Sequence, residues 1–200
     1  MYFPREVWAG SPHMNARQPK RFVVHDKEEF LDYIKIYNGK MNVYTSVYNY
    51  NEFSNNRGLE HSVVIDRISL EEAYEDLKTL HTWLVERNLK HRMAFSGRGF
   101  YIFVYGKRTS DLRRVKAFFN ICHDVIKKSP LLDHRVINTT RLRRVQNTYH
   151  MGAKRFSIPL RQSDLKHDLN FILEMSKKQR SGANEYYGEQ LLEWPQVKEI

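Results

Sequence analysis

A tight turn between two apolar runs is the feature that most constrains how this chain can fold. The apolar run 93–95 leads into Ser96-Gly97-Arg98-Gly99, and a second apolar run covers 100–104. Glycine permits the sharp reversal, so two paired strands are predicted on either side of it. The turn would present backbone N–H groups, a hydroxyl and a guanidinium at one point, which suits phosphate. A purely structural hairpin turn is the alternative, because ordinary hairpins use the same residue types.

The flanking segments predict an α+β fold. Helices are predicted where apolar residues recur at helical spacing, over 26–37, 69–87, 110–126 and 164–178. Strands are predicted over 43–50, 61–68, 93–95, 100–104 and 156–160, with a loop over the asparagine-rich residues 51–60. The resulting β-α-β-β-α-β order predicts a mixed sheet flanked by helices in a single domain.

The chain ends differ in character from its middle. Residues 1–25 hold three of the six prolines and show little periodicity, which predicts a loosely packed N-terminal arm. Residues 26–180 are predicted to form the α/β domain. Residues 181–200 form a polar C-terminal tail that ends in Leu191-Leu192-Glu193-Trp194-Pro195. This tail is interpreted either as a docking segment or as a loosely ordered end.

Positive charge is concentrated in one part of the chain. The net charge is +10, and residues 107–161 alone carry 14 Lys and Arg against three acids. A basic half on a near-neutral body is typical of a protein with a phosphate-rich partner. We therefore expect nucleic acid, either single-stranded DNA or a primer/template, as a partner. A solvated basic helix face is the alternative.

The cysteine content and the hydropathy argue against a disulfide-bonded, a cysteine–zinc and a membrane-spanning protein. The single cysteine, Cys122, lies among apolar residues at helical spacing, so a buried thiol is predicted. One cysteine cannot form an internal disulfide or a cysteine-based zinc site, and no zinc is expected. No run approaches the roughly 20 apolar residues of a membrane span, and the N-terminus lacks the pattern of a secretion signal. We expect a cytoplasmic protein without a membrane partner.

Further motifs follow in a fixed order. Asp66 ends an apolar strand, Asp133 follows Leu132, and Arg141-Leu142-Arg143-Arg144 is the strongest basic group. From about Val43 to Leu160 this order resembles the archaeo-eukaryotic primase superfamily. That family carries Asp-x-Asp on one strand, Ser-Gly-x-x-Gly-x-His on the next pair, a third Asp, and then a basic Arg-Leu-x-Arg segment. The resemblance implies the RRM-like sheet of a primase-type catalytic core.

The resemblance also implies a degenerate catalytic and metal site at Asp66 and Asp133. Ile68 or Val64 stands where the family has its second carboxylate, and Tyr101 stands where it has a histidine. Two-metal phosphoryl transfer needs ions about 3.5–4 Å apart, clamped by shared carboxylates. We therefore expect Mg²⁺ or Mn²⁺ to bind weakly if at all. A structural ion pair for Asp66 and a turn role for Asp133 are the alternatives.

The remaining candidate site residues are polar, basic or aromatic. The predicted nucleotide- and phosphate-binding set is Ser96, Arg98, Tyr101, Arg141, Arg143, Arg144, Thr148 and His150. Lys154 and Arg155 are predicted to extend a nucleic-acid track. Arginine suits phosphate because its planar fork binds two oxygens at once. In an extended segment Arg141 and Arg143 share a face and Arg144 points away. Tyr101 either stacks on a base or sugar or is simply sheet surface.

Together these features imply a primase-family DNA replication protein. The missing carboxylate favours a non-catalytic or weakly active subunit, similar to the accessory subunit of crenarchaeal primases. Such a subunit would bind nucleoside triphosphate and primer/template, and assist catalytic and large primase subunits in primer synthesis. The alternative is a small, active, metal-dependent primase-polymerase encoded by a plasmid or virus. A basic DNA-binding module without a link to replication is a third possibility.

Overall fold

The described strands form two larger antiparallel sheets and a separate two-stranded hairpin. The computed structural model describes residues 3–10, 21–51, 54–65, 69–107, 109, 111–127 and 142–196, with the backbone alone over 48–65. Its strands are β1 (Arg5–Gly10), β2 (Phe22–Val24), β3 (Asn42–Ser46), β4 (Tyr48–Asn51), β5 (Ser54–Ile65), β6 (His91–Phe95), β7 (Phe100–Tyr105), β8 (Leu142–Arg144), β9 (Tyr149–His150), β10 (Arg155–Phe156) and β11 (Ile158–Leu160). Sheet I has the order β2-β1-β3-β8, and sheet II has the order β11-β6-β7-β5-β4. β9 and β10 form a hairpin of their own.

Helices cover one face of sheet II. The α-helices are α1 (Lys27–Tyr37), α2 (Leu70–Glu86), α3 (Leu112–Val125) and α4 (Leu169–Met175). Strand alternation turns Phe100, Ile102 and Val104 of β7 to the face that α2 and α3 cover. These side chains are fully buried in the larger hydrophobic core. Cys122 of α3 is buried in the same core as predicted, and burial raises the pKa of its thiol.

Sheet I packs against α1 around a second, smaller core. Val7, Val43 and Phe30 meet there with other buried apolar side chains. The helix begins where the sequence predicts, because the Asp26 carboxylate accepts hydrogen bonds of 2.8 and 2.9 Å from the first-turn amides of Glu28 and Glu29. It ends before Asn38, also as predicted. The described residues therefore form two hydrophobic cores, one associated with each sheet.

The predicted α+β class with helices flanking a sheet is confirmed, and the pairing differs in detail. Every pairing between the described strands is antiparallel. The strand predicted over 43–50 is two strands, because Val47 bends the chain from sheet I into sheet II and is itself buried in the larger core. The loop predicted over 51–60 is wrong for every described residue of that range, because Asn51 ends β4 and residues 54–60 belong to β5. β5 begins at Ser54 and pairs with both β4 and β7, and these backbone hydrogen bonds override the asparagine-rich composition.

The two chain ends are better packed than the sequence suggests. The prediction of a loosely packed N-terminal arm is wrong for β1, because Arg5 and Val7 of that strand are fully buried in sheet I. In the C-terminal segment Leu192 and Trp194 belong to the larger core, and the Trp194 indole N–H donates to the Lys107 carbonyl. Leu192 and Trp194 therefore pack on the domain itself, whereas Leu191 is 46% exposed.

Two predicted helix boundaries also change. Asp111 caps α3 by accepting the Arg113 amide, whereas the predicted cap Ser110 lies outside the described residues. The helix predicted over 164–178 is a 3₁₀ helix, Gln162–Lys166, followed by α4. Asp168 caps α4 and interrupts the helical run. None of the described helices is long and apolar enough to cross a membrane.

A histidine pair lies between α2, β6 and the C-terminal segment. His91 donates from Nδ1 to the Leu89 carbonyl at 2.7 Å, so its Nε2 accepts from His81 Nδ1 at 2.9 Å. The Tyr187 ring lies 5.0 and 5.6 Å from the two imidazoles. Burial, with a contribution from His91, lowers the pKa of His81 to about 4, and burial lowers the pKa of His91. Both rings are therefore neutral at pH 7.

This pair makes stability fall as the pH is lowered. The unfolded chain takes up protons at a histidine pKa of 6.5, whereas folded His81 takes one up only near pH 4. Between these values the unfolded state binds more protons, so the free energy of unfolding should fall with pH by up to about 1.4 kcal/mol per pH unit for each such histidine. Urea unfolding at several pH values measures this slope. The His81→Gln variant should show a shallower slope than wild type, with His25→Gln at an exposed position as the control. An equal slope in His81→Gln would contradict the assignment.

Candidate anion and nucleic-acid site

One stretch of chain pairs with both sheets and positions the site. β8 pairs with β3 in sheet I, and β11 pairs with β6 in sheet II. The Ser157 hydroxyl donates to the Phe95 carbonyl at 3.0 Å just before β11 begins. The β9–β10 hairpin lies between these two attachments. As a result His150 packs against Gly97 in the turn between β6 and β7.

The Ser96–Gly99 turn is held together by its own hydroxyl. Ser96 Oγ accepts from the amides of Gly99 at 3.0 Å and of Arg98 at 3.3 Å. The amides expected to face phosphate are therefore engaged inside the turn, which is the hairpin role for Ser96. Gly97 has a φ of +98°, and a Cβ there would lie 2.9 Å from the His150 Cβ. The Arg98 side chain is exposed, so it is the group that the turn offers to a ligand.

Arg144 is a buried cation with neutral partners. Its side chain is 3% exposed and donates to Asn42 Oδ1 at 3.0 Å and to the Tyr44 hydroxyl at 2.8 Å. The guanidinium carbon lies 4.7 Å from the centre of the Tyr44 ring. Within the described part of the chain no carboxylate pairs with Arg144. Burial lowers its pKa, although it stays protonated at neutral pH.

His150 lies in the field of two arginines. Burial first, and then the charges of Arg144 and Arg98, lower the pKa of His150 to about 4. Its Nδ1 accepts from the Ala153 amide at 3.2 Å, which assigns the remaining hydrogen to Nε2. Tyr101 also interacts electrostatically with Arg144. The structure therefore brings Arg98, Tyr101, Arg144 and His150 together, and we call these four residues the arginine–histidine cluster.

The other predicted residues fall into three groups. Lys154 and Arg155 sit in the β9–β10 hairpin, with the Lys154 amide donating to the His150 carbonyl at 2.8 Å, so both lie beside the cluster. Thr148 is fully buried, and its hydroxyl donates to the Val145 carbonyl at 2.7 Å, so it supports the chain turn. Asp66, Asp133 and Arg141 lie outside the described residues.

Arg143 points to a different place from Arg144, as strand alternation predicts. Its guanidinium carbon lies 4.5 Å from the centre of the Phe103 ring in sheet II. Arg92 of β6 reaches the same ring, also at 4.5 Å. Sequence reasoning missed Arg92, Phe103, and the Arg144 partners Asn42 and Tyr44. The sequence feature that could have indicated Arg92 was a charged residue directly before the apolar run 93–95.

The donor set around the cluster suits an anion. Within the described residues no three His, Cys, Asp or Glu side chains are grouped so that they could hold a metal ion. Mg²⁺ and Mn²⁺ prefer oxygen ligands, above all carboxylates. The cluster instead offers two guanidiniums, an imidazole N–H and a phenol. These residues do not fit a metal site, whereas they do fit phosphate oxygens.

Comparison with known proteins shows the fold. Neither a protein-family model nor a curated protein sequence matches this chain. Among solved structures it is similar to the polymerase domain of Mycobacterium tuberculosis ligase D in complex with DNA, with a TM-score of 0.54. That likeness covers 82% of this chain and 75% of the other at 11% sequence identity. The chain therefore has a primase-polymerase-type fold.

Gly97 should be required for the packing between the turn and His150. Gly97→Ala places a side chain on a backbone with positive φ and brings its Cβ too close to His150. The variant should therefore be less stable than wild type by about 1–3 kcal/mol in urea unfolding. Gly182→Ala is the matched control, because Gly182 has a φ of +70° but nothing within 4 Å of its added Cβ. The difference between the two variants isolates the contact with His150. Equal losses would show that this contact does not constrain the site.

Proposed function

We propose that this protein binds the phosphates of a nucleoside triphosphate at the arginine–histidine cluster. We further propose that it acts as a non-catalytic or weakly active primase-type subunit in DNA replication. In this role it would hold nucleotide and primer/template and assist catalytic and large primase subunits. The observation that carries the proposal is the convergence of Arg98, Tyr101, Arg144 and His150 on a primase-polymerase-type fold.

The electrostatics of the cluster support an anionic ligand. Burying a guanidinium without a carboxylate is costly unless another charge compensates it. Among the described residues the hydrogen-bond partners of Arg144 are neutral, so a phosphate group would supply a compensating charge. Arg98 is exposed on the adjacent turn and can bind a second phosphate oxygen pair. The His150 Nε2–H adds a neutral donor beside both arginines.

The neighbouring residues support a nucleic-acid partner. Tyr101 is half-buried next to Arg144 and offers a ring to a sugar or base. Lys154 and Arg155 extend the positive surface from His150, and Arg141 and Arg143 belong to the same basic segment. Weak or absent catalysis is proposed from the sequence: Ile68 or Val64 replaces the second carboxylate, so Asp66 and Asp133 would clamp Mg²⁺ or Mn²⁺ poorly.

Nucleotide binding should depend on the exposed arginine of the turn. Arg98→Ala should weaken the affinity for a nucleoside triphosphate by roughly 10-fold, since a charge-assisted hydrogen bond contributes about 1.5–3 kcal/mol. Isothermal titration calorimetry measures this loss. Arg113→Ala, at a surface arginine of α3 that is 71% exposed, is the matched control.

Arg144 should contribute to the same binding. Arg144→Gln should weaken triphosphate binding at least as much as Arg98→Ala, and circular dichroism establishes that the variant is folded. Triphosphate affinity unchanged by Arg98→Ala would overturn the proposed site, even where Arg144→Gln does not fold.

Primer extension separates the subunit hypothesis from the enzyme hypothesis. The purified protein with Mg²⁺ or Mn²⁺, primer/template and labelled nucleotides should extend primers orders of magnitude more slowly than an active polymerase, because loss of a metal clamp removes several kcal/mol of transition-state stabilisation. Robust extension that Asp66→Ala abolishes would instead identify a small active primase-polymerase. Slow extension with intact nucleotide binding supports the subunit role.

A further inference from the structure

A cleft of about 410 Å³ lies on the other side of β8 from the arginine–histidine cluster. Its walls come from α1, from the open face of sheet II and from the C-terminal segment. Arg143 and Arg144 follow each other in β8, so their side chains leave the strand in opposite directions. Arg143 faces Phe103 across this cleft, and Arg144 borders it while reaching Tyr44 on the other side. The cleft and the cluster are therefore adjacent and share Arg144, while their other residues differ.

The floor of the cleft carries two cations on one aromatic ring. The guanidinium carbons of Arg92 and Arg143 each lie 4.5 Å from the centre of Phe103. They are therefore no further apart than twice that distance, which lets one phosphate or two adjacent phosphates contact both. No Asp or Glu side chain is among the described residues that line the cleft. The charged side chains among these described lining residues are all arginines: Arg92, Arg143 and Arg144.

The remaining lining suits a planar, hydrogen-bonding ligand. Tyr105 and Tyr186 face each other at 5.5 Å between ring centres, and Tyr186 is 52% exposed. Gln146 and Asn184 both accept hydrogen bonds from Arg92, at 3.1 and 3.4 Å. Arg92 Nε and Gln146 Nε2 are buried donors that find no acceptor within the described part of the chain. An acceptor brought by a ligand would satisfy them.

We propose that this cleft binds a nucleotide unit of a single-stranded nucleic acid. The phosphate lies at Arg92 and Arg143, and the base stacks against the tyrosine pair, where a carboxamide can reach its edge. Guanidiniums, exposed aromatic rings and carboxamides in one cleft are the combination that single-strand-binding surfaces use. The inference deepens the proposed function and rests on it in taking the ligand to be a nucleic acid. It adds a second site, beside the triphosphate, for the strand.

Two variants test the cleft with a fluorescein-labelled single-stranded oligodeoxynucleotide of about 12 nucleotides, a usual length for such sites. Fluorescence anisotropy over a salt series measures the affinity. Tyr186→Ala should weaken binding roughly 5-fold or more through lost stacking. Arg92→Gln should also weaken it and reduce the log–log salt slope by about 0.7, the value for one lost phosphate contact on a single strand. Triphosphate affinity should stay unchanged in both variants.

Matched controls lie outside the cleft. Phe22→Ala removes an aromatic ring that is also 52% exposed, and Arg87→Gln removes a guanidinium that stacks on Trp83 at 4.2 Å. The proposal is overturned if Tyr186→Ala leaves the oligonucleotide affinity unchanged. It is also overturned if the variants in the cleft lose no more oligonucleotide affinity than the control variants do. An acidic protein or a second copy of the chain as the occupant would give that unchanged affinity. If oligonucleotide binding falls but triphosphate binding is insensitive to Arg98→Ala, the cleft proposal survives and the triphosphate site fails.

Discussion

The attachment of residues 142–160 to both sheets is the constraint on which the rest of the site depends. β8 extends sheet I, β11 extends sheet II, and the connection between them has to cross the gap. Asn38 fixes that crossing, because its side-chain amide donates to the Asn147 carbonyl and its oxygen accepts the Tyr149 amide. Asn42 fixes the following part of the crossing, because its side-chain oxygen accepts from the Met151 amide at 2.9 Å and from Arg144. Two asparagines after α1 thus hold in place the segment that carries the arginines and His150.

The consequence is a pair of consecutive arginines, Arg143 and Arg144, that are each only 3% exposed. A buried guanidinium gives up hydration that neutral hydrogen-bond partners replace only in part. Sequences that break such a rule usually do so at functional sites, because elsewhere an apolar side chain would be more stable. Arg144 and Arg143 serve two different surfaces because β-strand geometry separates their side chains. This division lets one short strand contact both a nucleotide and a nucleic-acid strand in the functions we propose.

The C-terminal segment completes the cleft, and an ion pair holds it there. Asp164 accepts from the Arg180 guanidinium in a bidentate arrangement and from the Arg161 amide at 2.6 Å. Arg180 also donates to the carbonyl of Pro159 in β11. The chain beyond Arg180 then returns along sheet II, where its isolated bridges with Leu89, His91 and Gly106 bring Asn184 and Tyr186 to the cleft. A segment that looks like a polar tail in the sequence therefore forms one wall of the cleft.

Features that depend on residues close to one another in the sequence were predictable. The caps at Asp26 and Ser69 and the turn at Ser96–Gly99 depend on hydrogen bonds that span two or three residues, and the apolar stripes of α1 to α3 depend on local periodicity. Arg98, Tyr101, Arg144 and His150 were all among the candidate residues of the sequence, but the sequence did not single them out as one group. Strand β5 was not predictable over its first half, since its composition favours a loop and only its two partner strands overcome that preference.

The sequence by itself determined helices α1 to α3, the central turn, the buried Cys122 and the concentration of positive charge. Only the tertiary structure decided which residues surround each charge. The partners of Arg144 are about 100 positions away in the chain, and Arg92 meets Arg143 only because both reach Phe103. The reason is physical: helix caps and turns are fixed by short-range backbone geometry, whereas the burial of a cation depends on which distant segments exclude water around it.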